Sequence, residues 1–129
     1  MEINWIGIIA ATVSAFVLGG IWYGPLFGKK WQALNGLSDE QVGSANMAKV
    51  FGGAFVLTFI AAFVFAMFLG PDITVQQGAA YGASAGACWV GASFGINYLF
   101  AQKPFALWLI DGGYATGMFT LFGLLLGAL

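Results

Sequence analysis

Histidine is missing from the chain altogether, and charge of either sign is scarce: four lysines or arginines and five acids in 129 residues. Without histidine there is no ordinary general base and no commonest transition-metal ligand. Only 7% of residues are charged, against about 25% in a soluble domain, so a surface that faces water all round cannot be built. The net charge of -1 leaves no basic face to neutralise phosphates, which argues against nucleic acid as a partner. Lys29 and Lys30 are a pair, far short of a polybasic lipid-binding run. Cys88 is single, so no intramolecular disulfide can form; in mid-span it reads as a small core residue rather than a reactive thiol. No phosphate loop, catalytic triad or metal-ligand spacing occurs. A lone intramembrane acid also lacks the second partner that acid–base chemistry needs. The expectation is therefore a protein that is not an enzyme, with no catalytic residues, metal or cofactor.

What the chain has is apolar length. Hydrophobic residues make up 60% of it. A membrane-spanning helix needs about 20 mostly apolar residues, and four stretches qualify: 3–23, 50–69, 78–100 and 105–129. The fold expected is all-α, a single integral membrane domain over 1–129, built as a four-transmembrane-helix bundle with a short interfacial helix in the connection between the first two spans. An acid at Glu2 and the length of the first apolar run favour a retained span over a secretory signal. Gly70-Pro71-Asp72 and Gln102-Lys103-Pro104 are short turns. Short connections make neighbours antiparallel, so the second, third and fourth spans should pack in series. In the long connection Ser38-Asp39-Glu40-Gln41 fits a capping box; the helix it starts is expected to lie partly at the interface and run on into the second span.

The chain is organised around Trp22-Tyr23-Gly24-Pro25-Leu26-Phe27-Gly28-Lys29-Lys30-Trp31. Gly24 and Pro25 should end the first helix, since proline lacks the next donor and restricts its predecessor. Trp22, Tyr23 and Trp31 are amphipathic rings suited to headgroup level. With Pro25, Phe27, Lys29 and Lys30 they form the expected interface anchor. Lys29, Lys30 and Lys49 flank the first connection and Lys103 lies in the third, while the other side carries only Glu2 and Asp72. By the positive-inside rule both lysine-bearing connections face the cytoplasm and both termini lie outside.

Inside a bilayer, helices pair through close backbone contact, which small residues four apart permit. The first span has Gly7, Ala11, Ala15 and Gly19; the second has Ala54, Thr58, Ala62 and Ala66; the fourth has Gly113 and Gly117, then Gly123 and Gly127. The third has Gly78, Gly82 and Gly86 on one stripe and Ala79, Ala83, Ala87, Gly91 and Gly95 on the next, so it is expected at the centre of the bundle. Whether the strips pair within one chain or between two copies stays open. The phenylalanines read as lipid-facing and packing bulk, and the serines and threonines as bonding their own helix carbonyls.

Charge within a span is costly and often functional. Asp111 lies about two turns into the fourth span, with Tyr114 on its face. Asn97 and Tyr98 belong to a similar depth, and the long stem of Lys49 can reach inward. A polar cluster of Asp111, Tyr114, Asn97, Tyr98 and Lys49, beside Trp22 and Tyr23, has two readings. One is a proton- or ion-binding site. The other, which is favoured, is a structural ion pair or hydrogen-bonded knot that fixes helix register.

Gly20 to Trp31, then Asn46-Met47-Ala48-Lys49, then Phe100 to Pro104 with Leu109-Ile110-Asp111-Gly112-Gly113-Tyr114, resemble the DUF1761 family of small bacterial membrane proteins across nearly the whole chain. The resemblance implies a four-helix protein of the bacterial cytoplasmic membrane and no catalytic residues. It puts Trp22, Tyr23, Pro25, Phe27, Trp31, Asp111 and Tyr114 in family-like positions. Two function classes remain: a small-solute, ion or proton binding or transport module acting as a homo-oligomer, and a structural or accessory subunit packed against a larger membrane complex. The partners expected are the lipid bilayer and either further copies of the chain or that larger complex.

Overall fold

The structure, a computed structural model, describes residues 2–129. It is all-helical, with no strand among the described residues. Helix α1 runs Trp5–Ile21 and passes into a wide turn over Trp22–Leu26; α2 is Gly28–Leu34, α3 Asp39–Gly43 and α4 Met47–Leu69. Helix α5 is Val75–Ala85, a second wide turn covers Gly86–Gly91, and α6 (Ala92–Phe100) and α7 (Phe105–Ala128) follow. Trp5–Leu26, Met47–Leu69 and Phe105–Ala128 are each long and apolar enough to cross a membrane.

Short polar side chains start these helices, each relieving orphan backbone donors. Asn4 accepts from the Gly7 N–H, and Asn46 accepts from that of Lys49. Ser38 with Gln41 and Thr74 with Gln77 close full capping boxes. The Ser38 box is where the sequence places it, but the helix it starts stops at Gly43, and Asn46 begins α4 afresh. Two short helices, α2 and α3, therefore occupy the connection, and neither continues into α4.

The first helix does not end at Gly24-Pro25. The Phe27 N–H donates to the Trp22 carbonyl five residues back, at 2.8 Å. This wider turn accommodates a proline that would break a regular four-residue ladder. The helical path continues to Leu26, and Phe27, with φ -125° and ψ 4°, makes the break. In the same way α5, its wide turn and α6 form one rod from Val75 to Phe100, with helical dihedrals across both junctions.

The packing order differs from the series expected for the second, third and fourth spans. Helix α4 lies against α1, α1 against α7, and α7 against the α5–α6 rod. The centre is α7, not the third rod. Helix α7 buries Leu107, Ile110, Asp111, Gly112, Ala115, Phe122, Gly123 and Leu126, whereas α6 buries none of its residues. The third rod is peripheral because it meets protein on one side alone, chiefly along Gly78, Gly82, Gly86 and Gly91; Ala87 and Cys88 on its other face are exposed. Cys88 is thus not the core residue expected. The strip on α4 works only in part: Ala62 and Ala66 are buried, but Ala54 is exposed. The core lies between α1, α4 and α7, where Ile8, Ala11, Ala15, Ala62 and Phe122 are fully enclosed. Phe65 sits edge-on to Phe119, and Phe119 lies tilted against Phe122, so these rings are packing bulk rather than lipid-facing.

Helix α5 approaches α7 backbone to backbone. A Cβ added to Gly78 would strike the Gly123 carbonyl, one on Gly82 the Phe119 carbonyl, and one on Gly86 the Ala115 carbonyl and the Thr116 Cα. Four steps along α5 match four along α7. Past the wide turn Gly91 faces Gly112, so five steps on the third rod match three on α7. The extra residue held in the wide turn keeps the glycine stripe on α7.

Gly82→Ala should therefore destabilise the detergent-solubilised protein by about 1–3 kcal/mol, the usual range for overpacking. Gly53→Ala, where an added Cβ meets nothing within 4 Å, should be neutral or stabilising by up to about 1 kcal/mol from helix propensity. Denaturant unfolding of the two variants checks the difference; equal effects would contradict the backbone contact.

Candidate functional site

At the lysine-bearing end of the bundle, Asp111 is the buried charged residue, 5% exposed. Three elements converge on it. The wide turn after α1 carries Tyr23, whose hydroxyl donates to Asp111 Oδ1 at 2.6 Å. Helix α6 carries Tyr98, whose hydroxyl donates to Asp111 Oδ2 in a short hydrogen bond. Each carboxylate oxygen thus has its own phenol, one from each rod flanking α7. Charged acceptors make the stronger hydrogen bonds, and a buried carboxylate left without them would be expensive.

Around this clasp the aromatic N–H and O–H groups bond to neighbouring helices' carbonyls. Trp22 Nε1 donates to the Ile110 carbonyl at 2.9 Å, tying the first wide turn to α7 one residue before Asp111. Tyr114 donates its hydroxyl to the Ala15 carbonyl at 2.9 Å. Trp108 Nε1 donates to the Gly91 carbonyl at 2.8 Å, at the last residue of the second wide turn, where the regular ladder is interrupted. The rings pack as well: Tyr23 meets Tyr114 edge-on at 5.2 Å between centroids and Trp31 at 5.7 Å, and Trp22 lies 4.9 Å from Phe27.

Glycine makes room for these rings. A Cβ on Gly113 would come within 2.9 Å of the Trp22 ring, one on Gly19 within 3.3 Å of the Tyr114 hydroxyl, and one on Gly95 within 3.0 Å of Trp108 Nε1. Gly19, Gly95 and Gly113 therefore seat aromatic rings, while Gly78, Gly82 and Gly86 seat backbone.

Of the expected cluster, the structure brings Tyr98 onto Asp111 and sets Tyr114 one ring away, behind Tyr23. It does not bring in Asn97 or Lys49. Both are exposed, and neither hydrogen-bonds Asp111. Asn97 precedes Tyr98 by one residue, about 100° round the helix, and so turns outward. Lys49 lies in the first turn of α4, which packs chiefly on α1. Of the two structural alternatives, an ion pair or a hydrogen-bonded knot, Asp111 makes the second, a two-phenol clasp. Trp22 and Tyr23 also point inward, to Ile110 and Asp111, rather than serving only as headgroup anchors; Lys29 and Lys30 are exposed and Trp31 half-buried on α2. Ser14, Ser84, Ser93, Thr116 and Thr120 bond carbonyls of their own helices, as expected. Sequence reasoning missed the Trp108–Gly91 and Trp22–Ile110 bonds. A tryptophan one helix away from an interrupted ladder was the available signal. Among the described residues no group of three His, Cys, Asp or Glu is placed to hold a metal ion.

Chemically this arrangement fixes register. It couples the two rods beside α7 through one carboxylate; Asp111 itself lines neither surface cleft, while Tyr98 borders the one at the start of α7. Tyr98→Phe and Tyr23→Phe should each lower stability by about 1–2 kcal/mol, between the values for charged acceptors in soluble proteins and for bonds between membrane helices. On an Asp111→Leu background the cost of Tyr98→Phe should fall to near zero, a coupling that a double-mutant cycle reads directly. Asp111→Asn should be milder than Asp111→Leu, because the amide still accepts from one phenol and donates to the other. Lys49→Met should rescue none of these variants.

Comparison with curated proteins and with solved structures finds no match. The model of the family described as "Protein of unknown function (DUF1761)" matches residues 6–127. That span takes in both wide turns, Asp111 and both tyrosines that hold it, and on this near-complete match the chain belongs to the DUF1761 family.

Proposed function

We propose that the protein is a four-span membrane subunit whose work is structural: a rigid helical unit that packs into a larger membrane assembly. The sealed Asp111 carboxylate carries this reading. Proton or ion coupling needs an acid that water or a ligand can reach, whereas both oxygens here are engaged by phenols and the residue is buried. The reading is also non-catalytic: both Asp111 oxygens already accept from phenols, which does not favour the residue as a base.

The fourth span is the Val75–Phe100 rod. At about 1.5 Å per residue it is long enough to cross a hydrocarbon core of about 30 Å. Its neighbour-free face carries Tyr81, Trp89, Ile96 and Leu99, all exposed. On α4, Phe51, Phe55, Leu57 and Phe68 are likewise exposed. Two outer helices with broad apolar faces suit lipid and a partner equally. The clustering of Lys29, Lys30, Lys49 and Lys103 at one end supports a cytoplasmic placement of that end in a bacterial cytoplasmic membrane, with both termini outside.

Two measurements test the proposal. Tagged full-length chain, extracted gently from membranes and weighed intact, should be recovered with a larger membrane partner in fixed ratio. Recovery as a lone chain or dimer, with an ion or proton flux in vesicles that Asp111→Asn abolishes, would replace it with the transport reading. A reporter fused after Leu129 should be active only outside the cytoplasm; activity inside would overturn the orientation.

A further inference from the structure

A groove of about 230 Å³ opens beside the clasp, between the end of α6 and the start of α7. Gly95, Tyr98 and Leu99 line it from α6, Phe105 and Trp108 from α7, and Lys103 and Pro104 from the turn between them. The floor is apolar for a specific reason. The Trp108 N–H is already spent on the Gly91 carbonyl, and Gly95 has no side chain to lift the indole away from the rod. Leu99 is 80% exposed and Phe105 68% exposed, so the walls are left for something apolar to cover. Lys103 is held over the mouth by its turn. Its backbone N–H donates to the Tyr98 carbonyl, and Gln102 before it takes a left-handed φ of 56°. Its ammonium is exposed, and the nearby acid, Asp111, is closed off by two phenols.

We propose that this groove seats an anionic phospholipid, with an acyl chain along Gly95, Leu99, Phe105 and Trp108 and the headgroup phosphate on Lys103. The inference rests on the membrane-spanning reading above. The charge complementarity picks the occupant. A peptide would bring backbone donors and acceptors that an apolar groove cannot satisfy, whereas a lipid brings an apolar tail and a negative head in the order the groove presents them. The groove lies at the end of the bundle where the other lysines also gather, and cations there favour anionic headgroups. A single lysine at the membrane surface corresponds to a preference of about fivefold for anionic over zwitterionic lipid.

The test uses the full-length protein in phosphatidylcholine vesicles that contain a minor fraction of phosphatidylglycerol. Bromines are placed on the acyl chains of one lipid or the other at equal bromine content. The Trp108 share of the fluorescence is taken as the difference from Trp108→Phe. Brominated phosphatidylglycerol should quench that share about fivefold more effectively than brominated phosphatidylcholine. In Lys103→Gln, an exposed change that leaves the fold intact, the ratio should fall to about one. Equal quenching in the unmodified chain, or a preference that survives Lys103→Gln, would overturn the proposal. If neither brominated lipid quenches any tryptophan, the membrane-spanning reading itself falls.

Discussion

One buried carboxylate has to be satisfied, and much of the bundle's geometry follows from how that is done. Asp111 sits on the central helix, α7, which packs against both the α1 rod and the third rod. The phenols of Tyr23 and Tyr98 reach it from opposite sides. Tyr23 points inward from the wide turn that carries the chain past Gly24 and Pro25. For Tyr98 to point inward, the third rod must hold one residue more than a regular helix, which the second wide turn achieves. Both departures from regular helix are thus tied to the same acid. Each is also anchored by a tryptophan: Trp22 to Ile110 and Trp108 to Gly91.

The central helix makes two kinds of contact with one kind of residue. Toward α5, Gly123 meets the Gly78 backbone and lets main chains approach. Toward α1, Gly113 and Gly117 meet side chains, Trp22 and Leu18. The first contact depends on a shared stripe and the second on individual pairs. Where the third rod needs a smooth surface, α1 needs only that particular rings find a hollow.

These differences govern what could be read from residues alone. The helical segments, the Ser38 capping box and the prominence of Asp111, Tyr98 and Tyr114 follow from apolar runs, cap chemistry and the scarcity of charge. The packing order does not. Stripes of small residues occur on every span, and a strip says that close approach is allowed, not that a neighbour takes it up; the second stripe of the third rod is open on Ala87. Nor could the partners of Asp111 be read by depth alone. Asn97 and Tyr98 share a depth but differ by about 100° in direction, and the residue held in the wide turn decides which of them turns inward. Lys49 was the attractive partner by charge, yet it belongs to the helix that packs chiefly on α1. Proline in Trp22–Leu26 signalled a break, because a rule for four-residue ladders does not foresee a five-residue one.

The surplus residue between Gly86 and Gly91 also makes the third rod behave like a gear with one tooth to spare. A chain shortened by one position inside that turn would relax to a regular helix, since a π-bulge is a single insertion in an α-helical path. Its upper and lower halves would then mesh with α7 as before, at the expense of the carbonyl that Trp108 holds. The same shortening a turn later, within α6, would swing Tyr98 by about 100° and uncouple the rod from Asp111. Length variation between related chains should accordingly be absorbed at this one turn and be rare in the stretch from Ala92 to Tyr98.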